Sequence, residues 1–279
     1  MNAVFVGHVC IDDNVSENAS YKSWGSALMY MAHYFRDNFN VDPILISNYG
    51  KDFQAYLDNF RIIPAVPVAE ASMVIENRTL NGRRRQRYLN AANDKPPAIS
   101  DEVIEAVSTA DIIIVAPLLP TYSHGYLRDL LSHKKDKSLT VLLPQGYFRS
   151  LGAGGVIEAA SFAEADAIIP MFDLVIFSEQ DCSDPEQQAQ KWAGHTGTKI
   201  IITQGSGGAS YVTAQSTKKV ATAPVPEEQI IDSVGCGDIF SVAVAHEYFI
   251  KGDVLSAIQE GNVAAGSKLV QSVSNNKRH

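Results

Sequence analysis

The sequence predicts an α/β fold, a three-layer sandwich with a mostly parallel central sheet and a small β-strand lid. Three observations carry that reading. From residue 101 onward, apolar strand-like runs alternate with helical stripes, the pattern of parallel strands joined by crossover helices. A glycine-rich turn, Gly235-Cys236-Gly237-Asp238, feeds straight into the apolar helical run Ile239–Ile250. Two short strand-like pieces, Ser72–Ile75 and Arg84–Leu89, stand apart from the alternation and are joined by the hairpin signal Asn81-Gly82.

Taken in order, Ala3–Val9 reads as a buried first strand closed by Gly7-His8 and followed by Asp12-Asp13. Ligands of open α/β sheets bind beyond the carboxyl ends of such strands. Asp12 therefore reads either as a group that binds substrate hydroxyls or as an ordinary turn aspartate. Trp24-Gly25-Ser26 opens a helix whose apolar stripe is Ala27, Leu28, Met31, Ala32 and Phe35. Ile44–Ser47 is a second strand, with a helix through Phe60 behind it. The flap that follows carries Arg83, Arg84, Arg85 and Arg87 and reads as solvated, with one arginine facing substrate.

Helices at Asp101–Ser108, His124–Lys134, around Val156–Ala165 and at Pro185–His195 then alternate with strands. Those strands are Ile112–Ala116, Leu139–Leu143, Leu174–Phe177 and Lys199–Thr203. Gln145-Gly146 and Arg149 follow a strand end, as a loop over the sheet edge or as a substrate contact. Ser210–Thr213 and Lys218–Thr222 form a hairpin-like pair, and Val254–Val270 is the last helix. No low-complexity linker or repeat divides the chain, so residues 1–279 are expected to form one domain.

A length of 279 residues suits one large α/β domain, and a net charge of −8 argues against nucleic acid as the main partner. No apolar run approaches the roughly 18 residues of a membrane helix. Cys10, Cys182 and Cys236 have no CxxC spacing and read as reduced thiols. With no secretory leader in view, the expected location is cytoplasmic, with no membrane partner. There is no GxxxxGK[ST], no GxGxxG, no GxSxG and no HExxH. What remains is the turn at Gly235. Unpaired N–H groups and the dipole at a helix start suit a phosphate or developing oxyanion. Asp238 in that place is either a helix cap or a group with proton-transfer work.

Asp232-Ser233-Val234-Gly235-Cys236-Gly237-Asp238 resembles the D-T-x-G-A-G-D signature of the ribokinase-like (PfkB) carbohydrate kinases. Further segments resemble the family in the right order. Val6–Asp12 is similar to its first strand with a substrate-binding aspartate. Trp24-Gly25 stands where Gly-Gly is usual, and Gly50-Lys51-Asp52 resembles G-x-D. Asn77–Leu89 resembles the G-R-R lid segment, Ser178–Asp181 stands in the place of N-x-x-E, and Thr203-Gln204-Gly205 matches T-x-G. Phe177-Ser178-Glu179 is similar to the myo-inositol kinase-like branch.

The resemblance implies a kinase transferring the γ-phosphoryl group of ATP to a hydroxyl of a small polar acceptor: a sugar, a polyol such as inositol, or a nucleoside. It makes Asp238 the general base and the N–H groups of Gly235, Cys236 and Gly237 the anion hole. It assigns the acceptor to Asp12, Gly25, Ser26 and Arg149, and the nucleotide to Ser178, Thr203, Gly205, Gly208 and Asn262. Mg²⁺ falls to Glu179 and Asp181, through waters. Lid segments are expected near 12–24 and 72–92. A monovalent-cation requirement and a homodimer through the lid stay open. Ser178, Met29 (where the family has a substrate-contacting asparagine) and Trp24 depart from the pattern. They motivate a competing expectation, a catalytically silent sugar- or nucleotide-binding regulator on the same fold.

Overall fold

The structure, a computed structural model, describes all residues except 18–19, 81–82, 92–93, 196 and 271–279. The core strands are β1 (Ala3–Gly7), β4 (Ile44–Ile46), β5 (Ile62–Ile63), β8 (Ile112–Ala116) and β9 (Leu139–Leu142). They are joined by β12 (Leu174–Ser178), β13 (Lys199–Thr203), β14 (Ala209–Val212) and β15 (Thr217–Val220). These nine lie in the order β15-β14-β13-β12-β9-β8-β1-β4-β5, parallel from β5 to β13 and antiparallel at the β14 and β15 edge.

Every second residue of a strand faces the same side, and both sides are apolar. Phe5, Ile114, Val141 and Ile176 pack against α1 (Ala27–Phe39), α6 (Cys236–Lys251) and α7 (Val254–Leu269). Val4, Val6, Ile113, Val115 and Val175 pack on the other side. Their partners are α2 (Asp101–Thr109), α3 (His124–Ser132), the short α4 (Ala165–Ile168) and α5 (Pro185–His195). Each fully buried side chain of this kind contributes about 1.5–3 kcal/mol of transfer free energy, and the two cores make three layers.

A second, four-stranded sheet stands over the carboxyl ends of the core strands, in the order β3-β2-β6-β7. Its strands are β2 (Cys10–Ser16), β3 (Ser20–Gly25), β6 (Val74–Leu80) and β7 (Arg83–Leu89). The expected turn Asn81-Gly82 lies outside the described residues, but β6 and β7 pair antiparallel through Leu80↔Arg83, as a hairpin requires. Only His8 and Val9 separate β1 from β2. His8 Nδ1 accepts from the Leu118 N–H at 2.8 Å, its Nε2 faces the Asp94 carboxylate, and the Val9 N–H donates to Ser47 Oγ at 2.9 Å.

Three expectations are corrected. Asp12 lies within a strand and not in a turn. The segment after Gly50 forms one 3₁₀ stretch, Lys51–Tyr56, and not a helix to Phe60. The helix expected around Val156–Ala165 is absent: β11 (Ile157–Ala159) pairs antiparallel with β10 (Arg149–Leu151), and only α4 is helical. Gly154 and Gly155, at φ of 68° and 78°, turn the chain back before Val156. Val156 then bridges Arg87 at the edge of β7, so strand pairing overrides the local helical pattern.

Candidate active site

The carboxyl ends of β8, β9, β12 and β13 meet the start of α6 around a cleft of about 80 Å³. Asp238, Gly237, Ser178, Asp181 and Thr203 line it, together with Gln145 and Leu118. This brings together the proposed base, one glycine of the anion hole and three of the residues assigned to donor and metal. The turn forms because Gly235 takes φ 80° immediately before α6. A Cβ there would lie 2.3 Å from the Tyr30 ring, so only glycine lets the turn close against α1. The Cys236 N–H donates to the Ser233 carbonyl at 3.3 Å and so helps close the turn itself.

Asp238 is an acid at the positive end of a helix, yet burial pushes its carboxyl up to about 7. The Arg149 guanidinium pulls it back, and Asp12 adds a smaller push upward. Asp181 is also raised by burial, against the Ser178 N–H, Arg149 and the Gln145 side chain, which hold it down. Its Oδ2 accepts the Ser178 N–H at 2.8 Å. Arg149 thus acts on both carboxylates of the cleft, and it donates to Tyr88 Oη at 2.9 Å. Tyr88 Oη lies 3.2 Å from the Leu118 carbonyl, fixing the ring beside the cleft wall.

At the foot of the small sheet, Asp12 and Gly25 interlock. Cys10 pairs with Gly25 in the ladder, and a Cβ on Gly25 would sit 2.4 Å from Asp12 Oδ1. Ser26 has φ 84° and ψ 153°, a conformation that glycine adopts at little cost and other residues rarely hold. Its buried hydroxyl has no hydrogen-bond partner among the described residues.

Ser26 thus carries a glycine-like backbone directly after Gly25. Trp24 is core, stacked on His33 at 4.8 Å. Met29 is fully buried in the core, and the neighbouring Tyr30 is the side chain that meets Gly235. The Tyr30 phenol is raised by burial and then by Asp12, Asp232 and Asp238.

Other expected site residues are dispersed. Glu179 is exposed and lines a separate cavity with Ser183, Asp184 and Glu186. Glu179 and Asp181 thus line different cavities, and no cluster of three His, Cys, Asp or Glu side chains suited to a metal occurs among the described residues. The Asn262 amide donates to the carbonyls of Val220 at 3.1 Å and Ala221 at 3.4 Å. Gly205 begins a 3₁₀ turn after β13 and Gly208 ends it, with the Gly208 carbonyl accepting from the Gln204 N–H at 2.8 Å.

The lid arginine expected to face substrate does not do so among the described side chains. Arg87 lies on the face opposite Asp12 and binds Glu76; the side chains of Arg83 and Arg84 are outside the described set. Sequence reading missed Tyr30 and Tyr88, while Gln145, weighed there as a loop residue or a substrate contact, lines the cleft. The aromatic beside the arginines at Tyr88 was its one available signal.

The pattern of the "pfkB family carbohydrate kinase" matches residues 72–277. Fold, cleft and family match define the class: a phosphotransferase that acts on a hydroxyl acceptor. The chain belongs to the pfkB family of carbohydrate kinases. No curated protein matches it at the sequence level.

Among solved structures, it is similar to a pyrophosphate-dependent kinase in the ribokinase family in complex with sulfate. That match has 16% identity and a TM-score of 0.77, covering 96% of this chain and 95% of that one. The ribokinase of Thermotoga maritima aligns with 15% identity and a TM-score of 0.71, covering 97% and 93%. A nucleoside kinase of Methanocaldococcus jannaschii aligns with 15% identity and a TM-score of 0.70, covering 98% and 93%. At such identities the likeness is one of fold. No helix among the described residues is long and apolar enough to cross a membrane.

Proposed function

We propose that this chain, folded as one ribokinase-like unit, transfers the terminal phosphoryl group of ATP to a hydroxyl of a small polar acceptor such as a polyol, sugar or nucleoside. The observation that carries the reading is Asp238. Its carboxyl is poised at about 7 at the mouth of α6, in the cleft that also holds Asp181 and Thr203. A base is most effective when its pKa lies near the working pH.

Asp12 holds the acceptor from β2 and Asp238 accepts the proton of the hydroxyl that attacks. A bond forms from that oxygen to the terminal phosphorus, the bridging P–O bond breaks, and ADP leaves. Backbone N–H groups at Gly237 and Asp238, with the α6 dipole, stabilise the charge on the transferring group without reorganisation. Arg149 favours the ionised form of the neighbouring carboxylates against their burial and supplies a positive charge beside the phosphoryl group. Asp181 fits a water-mediated Mg²⁺ ligand, since this ion keeps several waters and leans on few carboxylates. Bound there, Mg²⁺ would neutralise charge on the donor phosphates.

Pyrophosphate is the second donor to test. Asn262, assigned to the nucleotide, directs its amide N–H groups to main-chain carbonyls. Three similar structures are of pyrophosphate-dependent kinases. The test is a panel of polyols, sugars and nucleosides with Mg²⁺ and either ATP or pyrophosphate, read as phosphorylated product. Product with ATP supports the first reading, and product with pyrophosphate alone the second. Binding without turnover would make the chain a regulator.

A further inference from the structure

We infer that the Lys268 ammonium is a fixed positive charge behind the Gly235 turn, held there by Asp232 to favour phosphoryl transfer. The inference rests on the kinase reading above and adds to it a residue outside the cleft. Lys268 lies in the last turn of α7. A lysine at such a place ordinarily runs out into water while complementing the helix dipole. This one is only 9% exposed. Its Nζ donates to the Asp232 carbonyl at 3.5 Å and forms an ion pair with Asp232 Oδ2 at 3.7 Å. A buried ammonium needs oxygens in place of its water, and both of these belong to the residue that opens the turn.

Asp232 is engaged through both carboxylate oxygens. Oδ1 accepts the Val234 N–H at 2.9 Å, while Oδ2 faces Lys268. Helix α7 supports the same segment at two further points. The Ile231 N–H donates to the Leu269 carbonyl at 2.8 Å, and Cys236 Sγ donates to the Ala265 carbonyl at 3.7 Å. Ala265 and Lys268 are three residues apart and share one face of the helix. From Glu227 to Val234 the approach to the turn is exposed except at Asp232, which is half-buried. The Asp232–Lys268 pair is thus where that exposed approach is tied to the body of the protein.

The charge reaches the turn itself. Burial pushes the Cys236 thiol up to about 11, and Lys268 pulls it back against smaller upward pushes from Asp232 and Asp238. Cys236 stands between Gly235 and Gly237, so a phosphoryl group held by the N–H groups of this turn would feel the same ammonium. The path between them runs through protein, where charge is screened less than in water. Lys268 is not among the residues that line the cleft. It acts through the turn and is a positioning residue.

The test compares the full chain with its Lys268→Met, Lys268→Arg and Asp232→Asn variants, first without any substrate. Cys236 is alkylated with iodoacetamide at pH 9, and peptide mass spectrometry separates it from Cys10 and Cys182. The thiolate is the reacting form. Lys268→Met and Asp232→Asn break one contact but remove opposite charges. The expected result is alkylation at least about threefold slower in Lys268→Met and faster by a similar factor in Asp232→Asn. Lys268→Arg should stay near wild type. A merely structural contact would loosen the turn and speed alkylation in both. That result overturns the inference, as do equal rates in all four proteins. If Lys268→Met does not fold, Lys268→Gln, also uncharged, takes its place.

The same proteins are then assayed for transfer to the panel of polyols, sugars and nucleosides. Lys268→Met should lose at least about tenfold in kcat with the acceptor KM unchanged, and Lys268→Arg should recover most of it. An unchanged kcat in folded Lys268→Met overturns the inference. Alkylation shifts of opposite sign, with no transfer by wild type to any compound, would leave the charge behind the turn standing and remove the kinase reading. Transfer by wild type, with no charge effect on Cys236, would do the reverse.

Discussion

Gly25 and Asp12 occupy the space of one residue: a Cβ on Gly25 would lie 2.4 Å from Asp12 Oδ1. Gly25→Ala must therefore push the Asp12 carboxylate out of its place, the proposed acceptor contact, while the strand pairing survives. The expected outcome is a fall of about a hundredfold in kcat/KM for the acceptor, as misplacement by an ångström can cause. The donor KM should change little. Steady-state kinetics with each substrate varied in turn checks it.

Asp238 should make activity and stability run in opposite directions with pH. Its carboxyl sits at about 7 in the folded chain against 3.8 in the unfolded one. Between these values the folded state holds the extra proton, so this group's contribution to stability falls as pH rises from about 4 to 7. Transfer needs the ionised base and should rise over the upper part of that window. Asp238→Asn should lose 10²–10⁴-fold in kcat, the usual range for a general base. It should also melt higher than wild type at pH 8, with the gap closing towards pH 4. Thermal melts and pH–rate profiles of both proteins test this together.

Arg149 ties the two carboxylates of the cleft to the small sheet through Tyr88. Removing its charge in Arg149→Met relieves the pull on Asp238, so the midpoint of the pH–rate profile should move to higher pH, with kcat at pH 7 down by at least tenfold. A profile shifted downward or left in place would contradict the arrangement. Arg149→Lys should restore much of the midpoint, since it returns the charge but not the planar donor set.

Glu76 gives the small sheet its own pH dependence. Its hydrogen bonds to Arg78 and Arg87 hold the buried carboxyl down to about 2, below its usual 4.5. A depressed carboxyl stabilises the folded state above its unfolded value and loses that effect as the pH falls from about 4.5 to 2. Glu76→Gln should therefore melt below wild type at pH 7 and converge with it near pH 2.

Asn262→Ala should act on stability more than on the donor. The side chain donates to the part-buried Val220 and Ala221 carbonyls, and losing such a hydrogen bond costs about 0.5–1.5 kcal/mol. The expected result is a lower denaturation midpoint with a donor KM within about threefold of wild type. A donor KM raised tenfold or more in a chain of unchanged stability would return Asn262 to the nucleotide.

What could be read in advance follows from how local each signal is. Ile112–Ala116 and Lys199–Thr203 were legible as strands because a strand buried on both faces is an uninterrupted apolar run, and their neighbours carry helical stripes. The Gly235–Asp238 turn was legible because phosphate chemistry needs glycine and an acid within four residues. Val156–Ala165 was misread because its structure is decided by the β7 edge some seventy residues earlier, where Val156 bridges Arg87. Glu179 and Asp181 sit two apart in sequence but leave a tight turn toward different cavities, which spacing alone does not reveal. The positive φ of Ser26 was hidden because serine gives no sign that it will hold a glycine's backbone angles.

The two-residue link between β1 and β2 has a mechanical meaning. His8 is held by Leu118 and Asp94, and Val9 by Ser47, so the foot of β2 is tied to three separate stretches of the chain. Asp12 lies three residues beyond Val9 on the strand that this tie anchors, so whatever Asp12 binds is positioned by Ser47, Asp94 and Leu118 as well as by its own strand.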